Sequence, residues 1–177
     1  MAKCSACGSR ILFGGQQWGA WPCCDAACLS NLKVRFVDEA MDAAVVAASV
    51  DEVFRGACPG CAGPGPVDVY GATSITGMIV AHQIVRRALV GCRSCGRKLR
   101  AKAALHCLLL GWWGAHSAML NLYYLPASLC SALFARSPSA PSSALRRRVK
   151  EHLAERSLPE LVAAIRVKAE ADASRSA

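Results

Sequence analysis

Charge is scarce in this 177-residue sequence: Asp, Glu, Lys and Arg together supply 19% of it, against 54% hydrophobic residues. That balance, with a mean hydropathy of +0.28, excludes a mainly disordered chain, which stays unfolded by carrying charge in place of apolar residues. Acids are the scarcer sign, 12 against 21 Lys and Arg, for a formal net charge of +9. Such a surplus points to an acidic partner, either nucleic acid or an anionic membrane face. The opening Met-Ala-Lys-Cys-Ser-Ala-Cys lacks an apolar core of signal-peptide length, so the thiols are expected to stay reduced. No internal repeat is visible beyond the recurrence of paired cysteines.

Cysteine is what the chain has in excess, eleven in all. In a reducing compartment, cysteines paired at two-residue spacing read as metal ligands before they read as disulfides. Cys58-Pro-Gly-Cys61 and Cys92-Arg-Ser-Cys95 sit among glycines, and two such tight turns can aim four thiolates at one ion in a tetrahedron. Between them, Val67-Asp68-Val69-Tyr70, Ile79-Val80 and Ile84-Val85 are rich in β-branched residues, which suit a zinc-ribbon hairpin carrying the knuckles. Residues 81–89 could instead be helical. The N-terminal set is Cys4, Cys7, Cys24 and Cys28, with a helix starting near Asp25 placing Cys28 in its first turns, where the positive helix end favours thiolates. Cys23 then acts as a small core residue; the alternative exchanges Cys23 for Cys24 as ligand. A redox role for either pair is the weaker reading, because no strand-then-helix unit accompanies it.

Four thiolates leave no open position on zinc, so both sites read as structural, and no catalytic residue or small-molecule substrate is expected. Two zinc ions on eight thiolates would bring the net charge to about +5. Small modules with little core would then draw much of their folding free energy from the metal.

Residues 103–135 contain no Asp, Glu, Lys or Arg. As one helix they would be about 50 Å long, more than the roughly 30 Å hydrocarbon slab. Gly111-Trp112-Trp113-Gly114 offers a break, with two indoles that favour a membrane interface, and Pro126 interrupts the longer piece after the break. A helical hairpin results. Arg93, Arg97, Lys98, Arg100 and Lys102 precede it, and Arg136 and Arg146–Arg148 come after it. Positive charge at both ends favours a re-entrant or interfacial hairpin with both ends cytoplasmic. A single span over 115–135 and a buried soluble helix pair are the alternatives. The same basic cluster could contact anionic lipid or nucleic acid phosphate. His106, Cys107, His116 and Cys130 read as scattered apolar-segment residues. In the tail, Leu145–Arg156 reads as a basic helix, and Ser157-x-x-Glu160 with Pro159 and the apolar positions Leu161, Val162, Ile165 and Val167 reads as a further helix start. Such a tail lies on lipid, pairs with a partner or is simply solvated.

The expected organisation is therefore an N-terminal zinc module (1–30, treble-clef-like), a helical connector (31–55), a zinc-ribbon module (56–102), an apolar membrane-associated helical hairpin (103–135), a linker (136–143) and a basic helical tail (144–177). Together these are small zinc-stabilised α+β modules on the cytoplasmic face of a membrane.

The motifs Cys4-Ser-Ala-Cys7, Phe13-Gly-Gly15, Cys24-x3-Cys28, Cys58-Pro-Gly-Cys61, Gly63-Pro-Gly-Pro-Val-Asp-Val69, Cys92-Arg-Ser-Cys-Gly96 and Gly111-Trp-Trp-Gly114 occur in that order. In this the chain resembles a family of uncharacterised bacterial proteins with two cysteine-rich zinc modules followed by a tryptophan-rich apolar hairpin. The resemblance covers about residues 4–125. It departs after the Trp pair, where such proteins tend to continue Pro-Trp-Gly and this chain has His116-Ser-Ala118. It implies an architecture and no activity, and leaves a non-enzymatic adaptor with an unknown protein partner as the leading expectation, a soluble nucleic-acid-binding zinc ribbon as the alternative.

Overall fold

The computed structural model describes residues 2–77, 82–134 and 136–157. Ile79, Val80 and the helix-start signal around Pro159 and Glu160 lie outside them, as do Leu161, Val162, Ile165 and Val167. The described chain contains two two-stranded antiparallel sheets and five helices, divided between two units, residues 1–50 with 146–177 and residues 51–145.

In the first unit, strands β1 (Gln16–Trp18) and β2 (Trp21–Cys23) pair tightly, Trp18 opposite Trp21. The hairpin turn falls between them, at Gly19 with φ +58°. Helix α1 (Ala26–Ala40) starts where expected: Asp25 is its N-cap and accepts the Cys28 N–H at 2.6 Å, filling one of the helix's unpaired amides. Phe36 stacks edge-on against both indoles, at 5.3 and 4.8 Å. Leu32, Val37 and Cys23 complete the core. The expected connector is two helices, α1 and α2 (Ala43–Arg55), broken at Met41-Asp42.

The charged tail also contributes to this unit. Of helix α5 (Ser143–Arg156), Ala154 is buried in the same core and Leu153 packs on it. Its cations are taken by α1: Arg147 donates to Ser30 and Asn31, both at 2.8 Å, and Lys150 pairs with Asp38, while Lys33 of α1 pairs with Glu155 at 2.6 Å. The basic helix is thus packed on the first unit and is not a plain solvated rod in these residues.

In the second unit, strands β3 (Val67–Gly77) and β4 (His82–Cys92) form one long hairpin, register Val67 to Cys92 through Gly77 to His82. Residues 82–89 are therefore strand and not helix. Helix α3 runs without interruption from Arg93 to Leu110, straight across the boundary expected at 102/103. It lies against β3, with Gly96 at the Tyr70 ring and Cys107 at the Ile75 amide, and it also buries Ala103 and Ala104. The chain turns at Gly111–Gly114, as the glycines and indoles indicated, and α4 (Ala115–Leu133) packs back on α3, passing through Pro126 without ending. A helical hairpin exists, but its first arm is amphipathic, with Arg93, Arg97, Lys98, Arg100 and Lys102 in its N-terminal half. No helix among the described residues is long and apolar enough to cross a membrane, which removes the single span over 115–135. His116, Asn121 and several serine and tyrosine side chains dilute α4 below that threshold.

Candidate metal centres

Both candidate sites begin with the same local chemistry. After Cys4 the chain closes on itself: the Cys4 N–H donates to Ser9 O and the Gly8 N–H to Cys4 O, both at 2.8 Å. After Cys58 the same two bonds recur, Cys58 N–H to Gly63 O and Ala62 N–H to Cys58 O, again 2.8 Å. The residue after each second cysteine is left-handed, Gly8 at φ +74° and Ala62 at φ +55°. Glycine adopts that conformation freely and alanine at a cost.

The other two ligands of each site come from the end of a hairpin and the start of a helix. Cys24 follows β2, and Cys28 lies in the first turn of α1. Cys92 ends β4 and is itself the N-cap of α3, with Cys95 in the first turn. The second module therefore differs from the expected ribbon of two knuckles on one hairpin. It repeats the plan of the first, a knuckle, a hairpin and a helix N-terminus, at a larger hairpin size. The sequence hides this repeat, because only the backbone closures and the sulfur positions are shared.

The four sulfurs of each group, Cys4, Cys7, Cys24, Cys28 and Cys58, Cys61, Cys92, Cys95, lie within 4.8 Å of one another. Individual separations are 3.7 Å for Cys7–Cys24, 3.3 Å for Cys24–Cys28, 3.8 Å for Cys58–Cys95 and 3.6 Å for Cys61–Cys92. A tetrahedral zinc with Zn–S bonds of about 2.3 Å has sulfurs about 3.8 Å apart. The donor set and its spacing fit the ion, and each group could hold one zinc.

The electrostatics point the same way. In each site the third ligand's backbone N–H donates to the first ligand's sulfur, Cys24 to Cys4 at 3.4 Å and Cys92 to Cys58 at 3.1 Å. Backbone amides of Cys7, then Cys24 and Ala6, hold the Cys4 thiol down to about 6 against a push from burial. Those of Cys92, then Gly60 and Cys61, hold Cys58 down to about 6. The last ligands behave oppositely. Hydrogen bonding to Cys61 and Cys58, with burial, pushes Cys95 up to about 12, and Cys24 likewise raises Cys28. Four thiols this close cannot all ionise without a cation among them. A divalent ion supplies that charge, and its binding releases the protons the last ligands hold.

Cys23 is fully buried in the first unit's core, where desolvation raises its thiol, and it is Cys24 that joins the sulfur group. Cys107 is not a bystander: buried, its sulfur accepts the Ile75 N–H at 3.3 Å. His106 bonds Thr76 at 2.8 Å and His116 stacks on His82, while Cys130 is exposed. Of the basic cluster, Arg93, Arg97, Lys98 and Lys102 are exposed. Arg100 is spent inside the fold, donating to Ser131 O at 2.9 Å with its guanidinium 5.5 Å above the Tyr70 ring. Trp112 and Trp113 sit exposed on the turn between α3 and α4. Comparison with protein-family models, curated proteins and solved structures finds no match to this chain, so its resemblance to the two-module zinc proteins rests on the motifs and on the paired cysteine geometry alone.

Proposed function

We propose that the protein is a non-enzymatic zinc-binding adaptor that sits on the cytoplasmic face of a membrane, inserting the α3–α4 turn shallowly into one leaflet and offering its zinc modules to a protein partner. One observation carries the membrane part. Helix α4 is inverted relative to a water-soluble helix: it buries Ser117 and Asn121, 1% and 0% exposed, and presents Met119, Leu122 and Tyr123, which are 73%, 71% and 70% exposed. Leu129 and Leu133 continue that face, and Leu105, Leu108 and Leu109 of α3 add to it. Small and polar residues between helices with large apolar ones outside is the arrangement lipid favours.

Depth follows from length. From Lys102 to the end of α3 at Leu110 the helix rises about 12 Å, less than half of the roughly 30 Å hydrocarbon slab. The indoles thus reach into one leaflet while the basic residues remain at the headgroups. Four thiolates at each site fill zinc's tetrahedral positions, which supports a structural role for zinc. The alternative partner, nucleic acid, loses Arg100 from its contact set.

Vesicle flotation tests the reading. The zinc-loaded protein should float with anionic vesicles and stay with them in high salt, since apolar insertion does not depend on screened charge. A Trp113→Ser, Leu122→Ser double variant should float poorly. Release of the native protein by salt, with the double variant indistinguishable from it, would sink the membrane reading and favour phosphate contacts at Arg93, Arg97, Lys98 and Lys102.

A further inference from the structure

Within the second unit, α3 and α4 enclose a groove of about 540 Å³. Its two walls run antiparallel, and two bonds fix their register: Asn121 Nδ2 donates to Cys107 O at 2.9 Å near the turn, and Arg100 reaches Ser131 O at the far end. The lining therefore changes in character along its length. Arg97 and Lys98 stand at the end remote from the turn, with Leu133 of α4 beside them, and Leu105, Leu108, Leu125 and Leu129 line the part toward it. Ala101 lies between, where its methyl leaves the floor open. Among the described residues, no acidic one lines the groove. Among the described residues, neither Arg97 nor Lys98 enters an ion pair: the bridges there take Lys33, Arg35, Arg55, Arg147, Arg148 and Lys150.

We infer that this groove seats one anionic phospholipid, its phosphate on Arg97 and Lys98 and one acyl chain along the leucines. The inference rests on the membrane reading for its direction: with the Trp112-Trp113 turn in the hydrocarbon, the groove's charged end stands at the headgroups and its apolar end points into the leaflet. The stretch from Arg97 to Leu108 rises about 16 Å, close to the thickness of that one leaflet. An arginine fork accepts two phosphate oxygens at once, and the adjacent lysine adds a point charge. A headgroup without an amine leaves both cations their full attraction, whereas a zwitterionic headgroup brings a competing positive charge. Two cations at the headgroup level correspond to about a 30-fold preference for the anionic lipid.

Native mass spectrometry of the zinc-loaded full chain in detergent micelles, doped with phosphatidylglycerol or phosphatidylcholine, reads this out. The expected result is one phosphatidylglycerol retained per chain and phosphatidylcholine retained far less. Ala101→Trp, which fills the groove without changing charge, should lose the lipid. Arg97→Gln with Lys98→Gln, both on the surface, should lose it too, while Arg86→Gln with Arg87→Gln, the same charge removed from exposed positions of β4 outside the groove, should keep it. Equal retention of both lipids, retention by Ala101→Trp, or equal loss in both charge-removed variants overturns the site. The two readings fail separately: loss of vesicle flotation with the lipid still retained discards the membrane reading alone, and flotation without a retained lipid discards the groove alone.

Discussion

Replacing Gly96 by alanine sets two known effects against each other at the second zinc site. Gly96 lies in the first turns of α3, where glycine to alanine ordinarily gains about 1 kcal/mol of helix stability. Here an added Cβ would lie 2.4, 2.5 and 2.8 Å from Tyr70 Cγ, Cδ1 and Cδ2. Carbon atoms rest at about 3.5–4.0 Å, so the ring or the helix must yield by about 1 Å. The ring has little room, being buried with the Arg100 guanidinium over it. If the helix yields instead, Cys92 and Cys95 move with it, since both belong to its first turn. Overpacking costs about 1–3 kcal/mol; a shift of about 1 Å against a buried ring puts this site in the upper part, about 2–3 kcal/mol, which outweighs the propensity gain. We expect Gly96→Ala to lose about 1–2 kcal/mol, a 5- to 30-fold fall in the folded ratio. Denaturant unfolding and the rate of zinc transfer to a chromogenic chelator measure it. Tyr70→Ala should cost less in the Gly96→Ala background than alone, because the collision is then gone. A Gly96→Ala protein as stable as the parent, holding zinc as long, would show that the ring moves freely and refute the packing argument.

Ala62 occupies the left-handed position that Gly8 fills in the first knuckle, with φ +55°; Ala62→Gly should raise the second module's stability by about 0.5–1 kcal/mol, seen as a higher denaturant midpoint, whereas Gly8→Ala should lower that of the first. Elemental analysis should find about two zinc ions per chain, and Cys92→Ser should remove one and expose the second unit to protease, while Cys130→Ser, an exposed side chain, changes neither. Zinc should be lost as pH falls, because protons compete for the thiolates, and a pH-independent zinc content from neutral to acid would contradict the ligand set.

Much of the site was legible in the sequence because its chemistry is local. A Cys-x-x-Cys turn closes its own hydrogen bonds, Asp25 caps the amide three residues ahead, and paired glycines around two indoles end one helix and begin the next. Each depends on residues a few positions apart, so spacing picked out the paired cysteines and the turn at 111–114, while the choice of Cys24 over Cys23 came only with the positions of the sulfurs. Features that depend on distant partners were not legible. That α3 starts at Arg93 follows from Gly96 and Cys107 finding β3, whose Tyr70 ring and Ile75 amide complement them. Without that surface, ten residues rich in Arg and Lys read as a flank and not as half a helix. The basic tail helix could not be placed until α1 supplied Asp38 and Ser30 to meet its cations. Arg100 looked like a surface charge until Ser131 and Tyr70 came within its reach. Composition marked residues 103–135 as apolar, but which side of α4 turns inward is decided by packing: Asn121 meets Gly111 and the Cys107 carbonyl, and Ser117 meets Gly77 of β3, which leaves Met119, Leu122 and Tyr123 outside.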